Sequence, residues 1–169
     1  MQLNEAREEF IQAWGTLGSK WGINRTMAQV HALLLLSPEA LSSEEVMGTL
    51  HISQGNANMS LRGLIDWGVV TKMHKTGERK DFYRAEKDMW KIARQVIIER
   101  RKRELEPVLR MLDNVKEVEG DKSNPEYKEF IAVLDGLEGF SGKVDRAFDR
   151  MIKADSNFVM KTLVSYMLK

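Results

Sequence analysis

Two helix-start signals stand so close together in the middle of this chain that only one short helix fits between them, and a strand pair comes directly after the second helix, an order that few folds accommodate. Ser42, with Glu45 three residues later, has the spacing of a capping box, in which a serine oxygen and a glutamate carboxylate satisfy two orphan backbone N–H groups. A short helix should therefore run from Ser43 to about Leu50. Ser53 is placed to cap the next helix, whose inward positions Ala57, Leu61, Leu64 and Ile65 recur at helical spacing. His51 and Ile52 form the turn between them, and Gly68 sits where a left-handed terminating residue is wanted. Residues 69–74 then alternate and are rich in β-branched side chains, KTGERK supplies a glycine-containing turn, and DFYRA supplies a second strand.

The flanks read as helices. Residues 3–19 place Phe10, Trp14 and Leu17 on one stripe, after which Gly18 and Gly22 loosen the chain. Asn24 caps a second helix through Met27, Val30, Leu33 and Leu34, whose run of leucines implies burial on most sides. Asp88 caps a long helix with Trp90, Ala93, Val96 and Ile97 inward, and Pro107, lacking a backbone donor, should kink or restart it. Asn124 and Pro125 start another helix, and Gly139, Ser141 and Gly142 mark a break before a last helix to about residue 168.

This order predicts a mainly α fold: a winged helix-turn-helix with a two-stranded β wing, and additional N- and C-terminal helices forming a dimerisation region. The corresponding division is residues 1–22 for an N-terminal dimerisation helix, 23–87 for the winged helix-turn-helix and 88–169 for the C-terminal helical region. Two copies would bury leftover apolar faces such as Phe130, Leu134, Phe148 and Phe158.

The formal net charge of +1 hides an uneven distribution. Residues 71–103 carry 12 Lys and Arg against 5 Asp and Glu, whereas residues 104–155 carry 8 against 13. A polyanion is attracted by the first region and repelled by the second. The chain has no cysteine, which removes disulfides, thiolate zinc sites and cysteine nucleophiles. Its longest apolar run, residues 32–36, is far short of the roughly 20 needed to span a bilayer, and its acidic N-terminus does not resemble an export signal. A cytoplasmic protein is expected, with no membrane partner.

The outer face of the helix after Ser53 carries the functional signal. Gln54, Gly55, Asn56, Asn58, Met59, Ser60 and Arg62 stand where a merely solvated helix would show Glu and Lys pairs. Amides can bind adenine edges, arginine can bind guanine, and methionine can touch a thymine methyl. Such a face sacrifices helix propensity, which a function would explain; a weak surface helix tolerated by its packing is the plainer reading. In the hairpin, Lys72, His74, Lys75, Arg79, Lys80 and Arg84 outnumber Glu78 and Asp81. Phosphate binding needs such charge on a stiff projection, and Arg79 near the tip could enter a minor groove. A charged edge also deters strand aggregation, and the two roles can coexist. The DNA-contacting set is thus Ser53, Gln54, Asn56, Asn58, Met59, Arg62, Lys72, Lys75, Arg79 and Lys80. The basic run at residues 99–104 is better read as a solvated helical face.

Residues 21–107 resemble the GbsR branch of the MarR-type winged-helix transcriptional regulators, through WGINRTMAQVHALLLL, LSSEEVMGTLHISQGNANMSLRGLIDWGVV, GERKDFYRAEKDMW and RRKRELEPVL. The resemblance implies a homodimeric regulator, often a repressor, on a near-palindromic operator, with terminal helices building the dimer and Arg79 as the wing arginine. Some members of the branch sense choline, so a small-molecule effector is an option, with Trp14, Trp21, Trp67 and Trp90 as candidates for an aromatic cage; tryptophan at helical spacing is more often core.

Catalysis finds no support in the residue pattern. His31, His51 and His74 are scattered, no metal-ligand spacing or phosphate-binding glycine loop occurs, and neither cofactor nor metal is expected. The rival readings are a winged-helix module that binds protein without reading DNA, and a sequence-indifferent architectural DNA binder, which would carry more lysine and arginine and fewer amides on its groove helix.

Overall fold

A computed structural model describes residues 1–154, in two compact units. The first, Met1–Ile92, contains α1 (Leu3–Lys20), α2 (Arg25–Leu36), β1 (Leu41–Ser42), α3 (Ser43–Leu50), α4 (Gln54–Asp66), β2 (Val70–His74) and β3 (Asp81–Ala85). Local chemistry sets the helix boundaries. The Asn24 side-chain oxygen accepts from the Met27 N–H at 3.1 Å. Ser42 Oγ accepts from the Glu45 N–H at 3.3 Å, while Glu45 Oε2 accepts from the Ser42 N–H at 2.7 Å. Ser53 Oγ accepts from the Asn56 N–H at 3.3 Å. His51, at φ 53°, makes the left-handed turn between α3 and α4, and Gly68, at φ 68°, closes α4.

Val30, Leu33 and Leu34 of α2, Val46 of α3, Leu61 and Leu64 of α4 and Phe82 of β3 are all buried and form the core of this unit. Each such side chain contributes about 1.5–3 kcal/mol of burial. The core fixes which side of α4 is left outward. Ala57, Ser60, Leu61 and Leu64 face in, so Ser60, expected on the outer face, is instead buried.

The sheet and α1 also depart from expectation. The sheet has three strands rather than two, in the order β1-β3-β2, with Leu41 opposite Tyr83 and Ser42 opposite Phe82. The stripe of α1 that packs inward is Ile11, Gly15 and Gly18, while Phe10 and Leu17 stay partly exposed and Trp14 half-buried. A Cβ on Gly18 would lie 2.6 Å from the Ala28 Cβ, and one on Gly15 would lie 2.6 Å from the Gln29 side chain. The glycines therefore act as the close-contact surface of α1 on α2, and Gly18 does not loosen the helix.

The second unit begins at Ala93, within α5 (Met89–Arg100), and continues through a π-helical turn (Arg101–Leu105), α6 (Glu106–Val115) and α7 (Pro125–Lys153). Asp88 caps α5, its side chain accepting from the Trp90 N–H at 2.9 Å. The stripe expected there is out of phase: Ile92 and Glu99 are buried and Val96 and Ile97 half-buried, whereas Trp90 and Ala93 are exposed. Glu99 hides the true pattern, because its carboxylate occupies an inward position, paired with Arg103 at 2.9 Å. Pro107 falls in the first turn of α6, after the π turn has already interrupted the regular ladder, which agrees with the expected restart.

Asn124 caps α7 by accepting from the Glu126 N–H at 2.8 Å. The break expected at Gly139, Ser141 and Gly142 is absent, and α7 is continuous. Interior glycine costs about 1 kcal/mol relative to alanine, and contacts on both sides offset it. Lys116 pairs with Asp135 and Glu138 before the glycine segment, Arg101 grips Asp145 through two bonds after it, and Leu134 and Ser141 are buried. Leu134 is therefore not a leftover apolar face. Phe158 and the expected end of the last helix lie outside the described residues.

Candidate nucleic-acid interface

Gln54, Asn56, Asn58, Met59 and Arg62 of α4 are exposed, along one side of the helix. Met59 is the most open of the apolar side chains in the helix, at 70% exposure. Ser53 is engaged as the cap, so its hydroxyl serves the helix before any ligand. A helix is about 10 Å across with its side chains, and the major groove about 12 Å wide, so an uncovered face of this kind can enter a groove. Among the described residues, no hydrogen bond or ion pair ties down the side chains of Gln54, Asn56 or Arg62.

Asn58 is different. Its side-chain oxygen accepts from Ser43 Oγ at 3.1 Å, which ties the outer face of α4 to the first residue of α3. The preceding residue, Ser42, lies opposite Phe82 in the β1–β3 pair, and Phe82 carries the two lysines that flank the hairpin turn. Lys75 Nζ stands 4.1 Å and Lys80 Nζ 5.4 Å from the centre of its ring. Asn58, Ser43, Ser42, Phe82 and the lysine pair thus form an unbroken series of neighbours from the polar face of α4 to the turn end of the wing. β1, the strand absent from the sequence expectation, supplies the middle step.

The wing itself is β2 and β3 joined by an exposed turn in which Gly77 adopts φ 84°. Arg79 is exposed there. Lys72 lies lower, paired with Asp81 at 2.6 Å, and that bond raises its pKa. Asp81 also meets His74 at 3.2 Å, and Arg84 meets Glu39 at 3.6 Å. Lys72 and Arg84 therefore spend part of their charge within the protein, leaving Lys75, Arg79 and Lys80 as the more available cations. Lys80 has only a loose, exposed partner in Glu78 at 3.8 Å, a geometry worth little in water. Glu45 is held below the usual carboxylate range chiefly by the Ser42 backbone N–H, with Lys80 and Lys75 adding to the effect.

Residues that the sequence reading did not single out are Ser43 and Phe82. Ser43 carries no periodic signal, and Phe82 reads simply as an inward strand residue. Of the four tryptophans, Trp14 stacks on Phe10 at 5.4 Å and tilts against His31 at 6.3 Å, Trp67 is half-buried, and Trp21 and Trp90 are exposed. Among the described residues, no group of three or more His, Asp or Glu is arranged to hold a metal ion, and no helix is long and apolar enough to cross a membrane.

No protein-family model matches the sequence, and no curated protein matches it. A solved structure described as the crystal structure of a transcriptional regulator is similar in fold, with a TM-score of 0.62 over 88% of this chain and 99% of that one, at 22% identity. The helix order, the capped α3–α4 pair and the small antiparallel sheet are those of a winged-helix fold.

Proposed function

We propose that this protein is a sequence-specific double-stranded DNA-binding transcriptional regulator that acts as a homodimer on a near-palindromic operator. The observation that supports the reading is the series of neighbours from Asn58 through Ser43 and the buried Ser42 and Phe82, which links the polar face of α4 to the cationic turn of the wing. On this reading α4 enters a major groove, with Arg62, Asn56, Gln54 and Met59 at base edges, while Lys75, Lys80 and Arg79 meet the flanking backbone. A module that bound only protein would more often make the helix face and the hairpin apolar or mixed in charge. The likeness to a structure described as a transcriptional regulator supports the same reading.

Dimerisation draws support from α7. Phe130, Val133, Leu137 and Phe140 recur at spacings of three and four residues and are all exposed, an apolar seam of the kind that packs against another helix. A second copy would cover it and bring two α4 helices to successive major grooves about 34 Å apart. Repression follows if the bound dimer blocks access to a promoter, and an effector that favoured another spacing of the two helices would release it. The experiment is selection of bound sequences from random duplex DNA. The expected product is an imperfect palindrome with half-sites one helical turn apart; recovery of no common sequence would overturn specific recognition.

A further inference from the structure

The lysines that flank the turn of the wing occupy a more defined arrangement than surface lysines need. Lys75 follows β2 and Lys80 precedes β3, and their ammonium groups converge on one ring, that of Phe82. Phe82 is only 3% exposed, so the two side chains help cover an aromatic face at the edge of the core. The ring's negative face attracts each cation, but two like charges over one ring repel each other. The nearby acids offset that repulsion only in part: the Glu45 carboxylate attracts both ammonium groups but bonds to the Ser42 N–H rather than to either of them, and the Glu78 contact is loose and exposed.

What would satisfy the pair is an anion that accepts from both ammonium groups at once, and on the DNA-binding reading, on which this inference rests, a backbone phosphate is the anion at hand. We propose that Phe82 is a positioning residue that holds Lys75 and Lys80 together as one seat for a single DNA backbone phosphate beside the groove entered by α4. A lysine otherwise loses considerable rotamer freedom on binding, and side chains already laid over the ring have lost part of it beforehand. The pairing of Phe82 with Ser42, and the bond from Ser43 to Asn58, fix the seat relative to the reading face.

A shared phosphate and two separate phosphates predict different salt dependences. Each phosphate neutralised contributes about 0.9 to the slope of log affinity against log salt concentration. With one shared phosphate, Lys75→Ala and Lys80→Ala each lower affinity but leave the slope near that of the wild type, because the remaining lysine still neutralises it. The double variant then lowers the slope's magnitude by about 0.9 per protomer. Loss of about 0.9 per protomer in each single variant, doubled in the double variant, would overturn the shared seat. Phe82→Leu, which keeps an apolar side chain but removes the ring, should weaken duplex binding on the order of five-fold, with Phe82→Tyr restoring it. Thermal unfolding of the same samples confirms that both variants are folded. If Phe82→Leu unfolds the protein, the lysine variants decide alone. Wild-type affinity in a folded Phe82→Leu variant would overturn the positioning role. A wild-type protein that fails to bind duplex DNA at all would remove the underlying reading as well, and so is distinct from either result.

Discussion

Ser43, the first residue of α3, donates its hydroxyl hydrogen to the side-chain oxygen of Asn58 at 3.1 Å, bracing the outer face of α4 from the neighbouring helix. With that oxygen engaged, Asn58 keeps its amide N–H groups for donation, and on the DNA-binding reading acceptors such as phosphate or guanine edges suit it. Ser43→Ala should therefore lower operator affinity by about 0.5–1.5 kcal/mol while leaving thermal stability close to that of the wild type, because the bond is exposed. Fluorescence anisotropy titration and thermal unfolding check the two halves. Unchanged affinity would show that Asn58 needs no brace.

Gly18 and Gly48 should respond oppositely to the same substitution. A methyl at Gly18 would meet Ala28 Cβ at 2.6 Å, so Gly18→Ala should destabilise by about 1–3 kcal/mol despite alanine's better helix propensity. Gly48 in α3 has nothing within 4 Å of the added carbon, so Gly48→Ala should stabilise by up to about 1 kcal/mol. Denaturant unfolding of the two variants measures both signs, and a stabilising Gly18→Ala would refute the close approach of α1 to α2.

The elements that could be read from the chain were those determined by residues adjacent in sequence. Asn24, Ser42 with Glu45, Ser53, Asp88 and Asn124 all cap where their spacing indicated, because a cap joins a side chain to backbone two or three residues on. Whatever depended on a distant partner was not legible. β1 is two residues long and exists only by pairing with β3. Ser60 is polar yet faces the core, Glu99 takes an inward place beside Arg103, and α7 runs through its glycines because Lys116 and Arg101 hold it on either side. At the site, the exposure of Asn56, Met59 and Arg62 followed from helical phase, while the link from Asn58 to the wing required the folded sheet.

His31 makes stability depend on pH. It is buried on α2 with its Nε2 unpartnered, and desolvation pushes its pKa down from 6.5 to about 4. Its folded pKa lies below its unfolded one, so the unfolded chain takes up the proton first. Stability is full above about pH 6.5 and falls as pH drops toward 4, by at most about 3 kcal/mol from this group. Unfolding of the wild type and His31→Leu between pH 7 and pH 4 should show a smaller loss in the variant, and parallel curves would contradict the assignment.

On the proposal that the exposed seam of α7 is the subunit contact, Phe140→Glu should shift the protein from dimer to monomer in light scattering, since a buried unpaired carboxylate is strongly disfavoured in an apolar interface. A dimer unaffected by Phe140→Glu and Leu137→Glu together would place the subunit contact elsewhere.

The most direct test of a single DNA-reading surface is the affinity of Arg62→Ala for a selected duplex and for a panel of single-base variants of it. Arg62 is exposed on α4 and carries no structural bond among the described residues, so its loss should not disturb the fold. The expected result is a loss of about 1–3 kcal/mol on the selected duplex, with preference relaxed at one base position in each half-site. Binding equal to wild type across the panel would contradict the account.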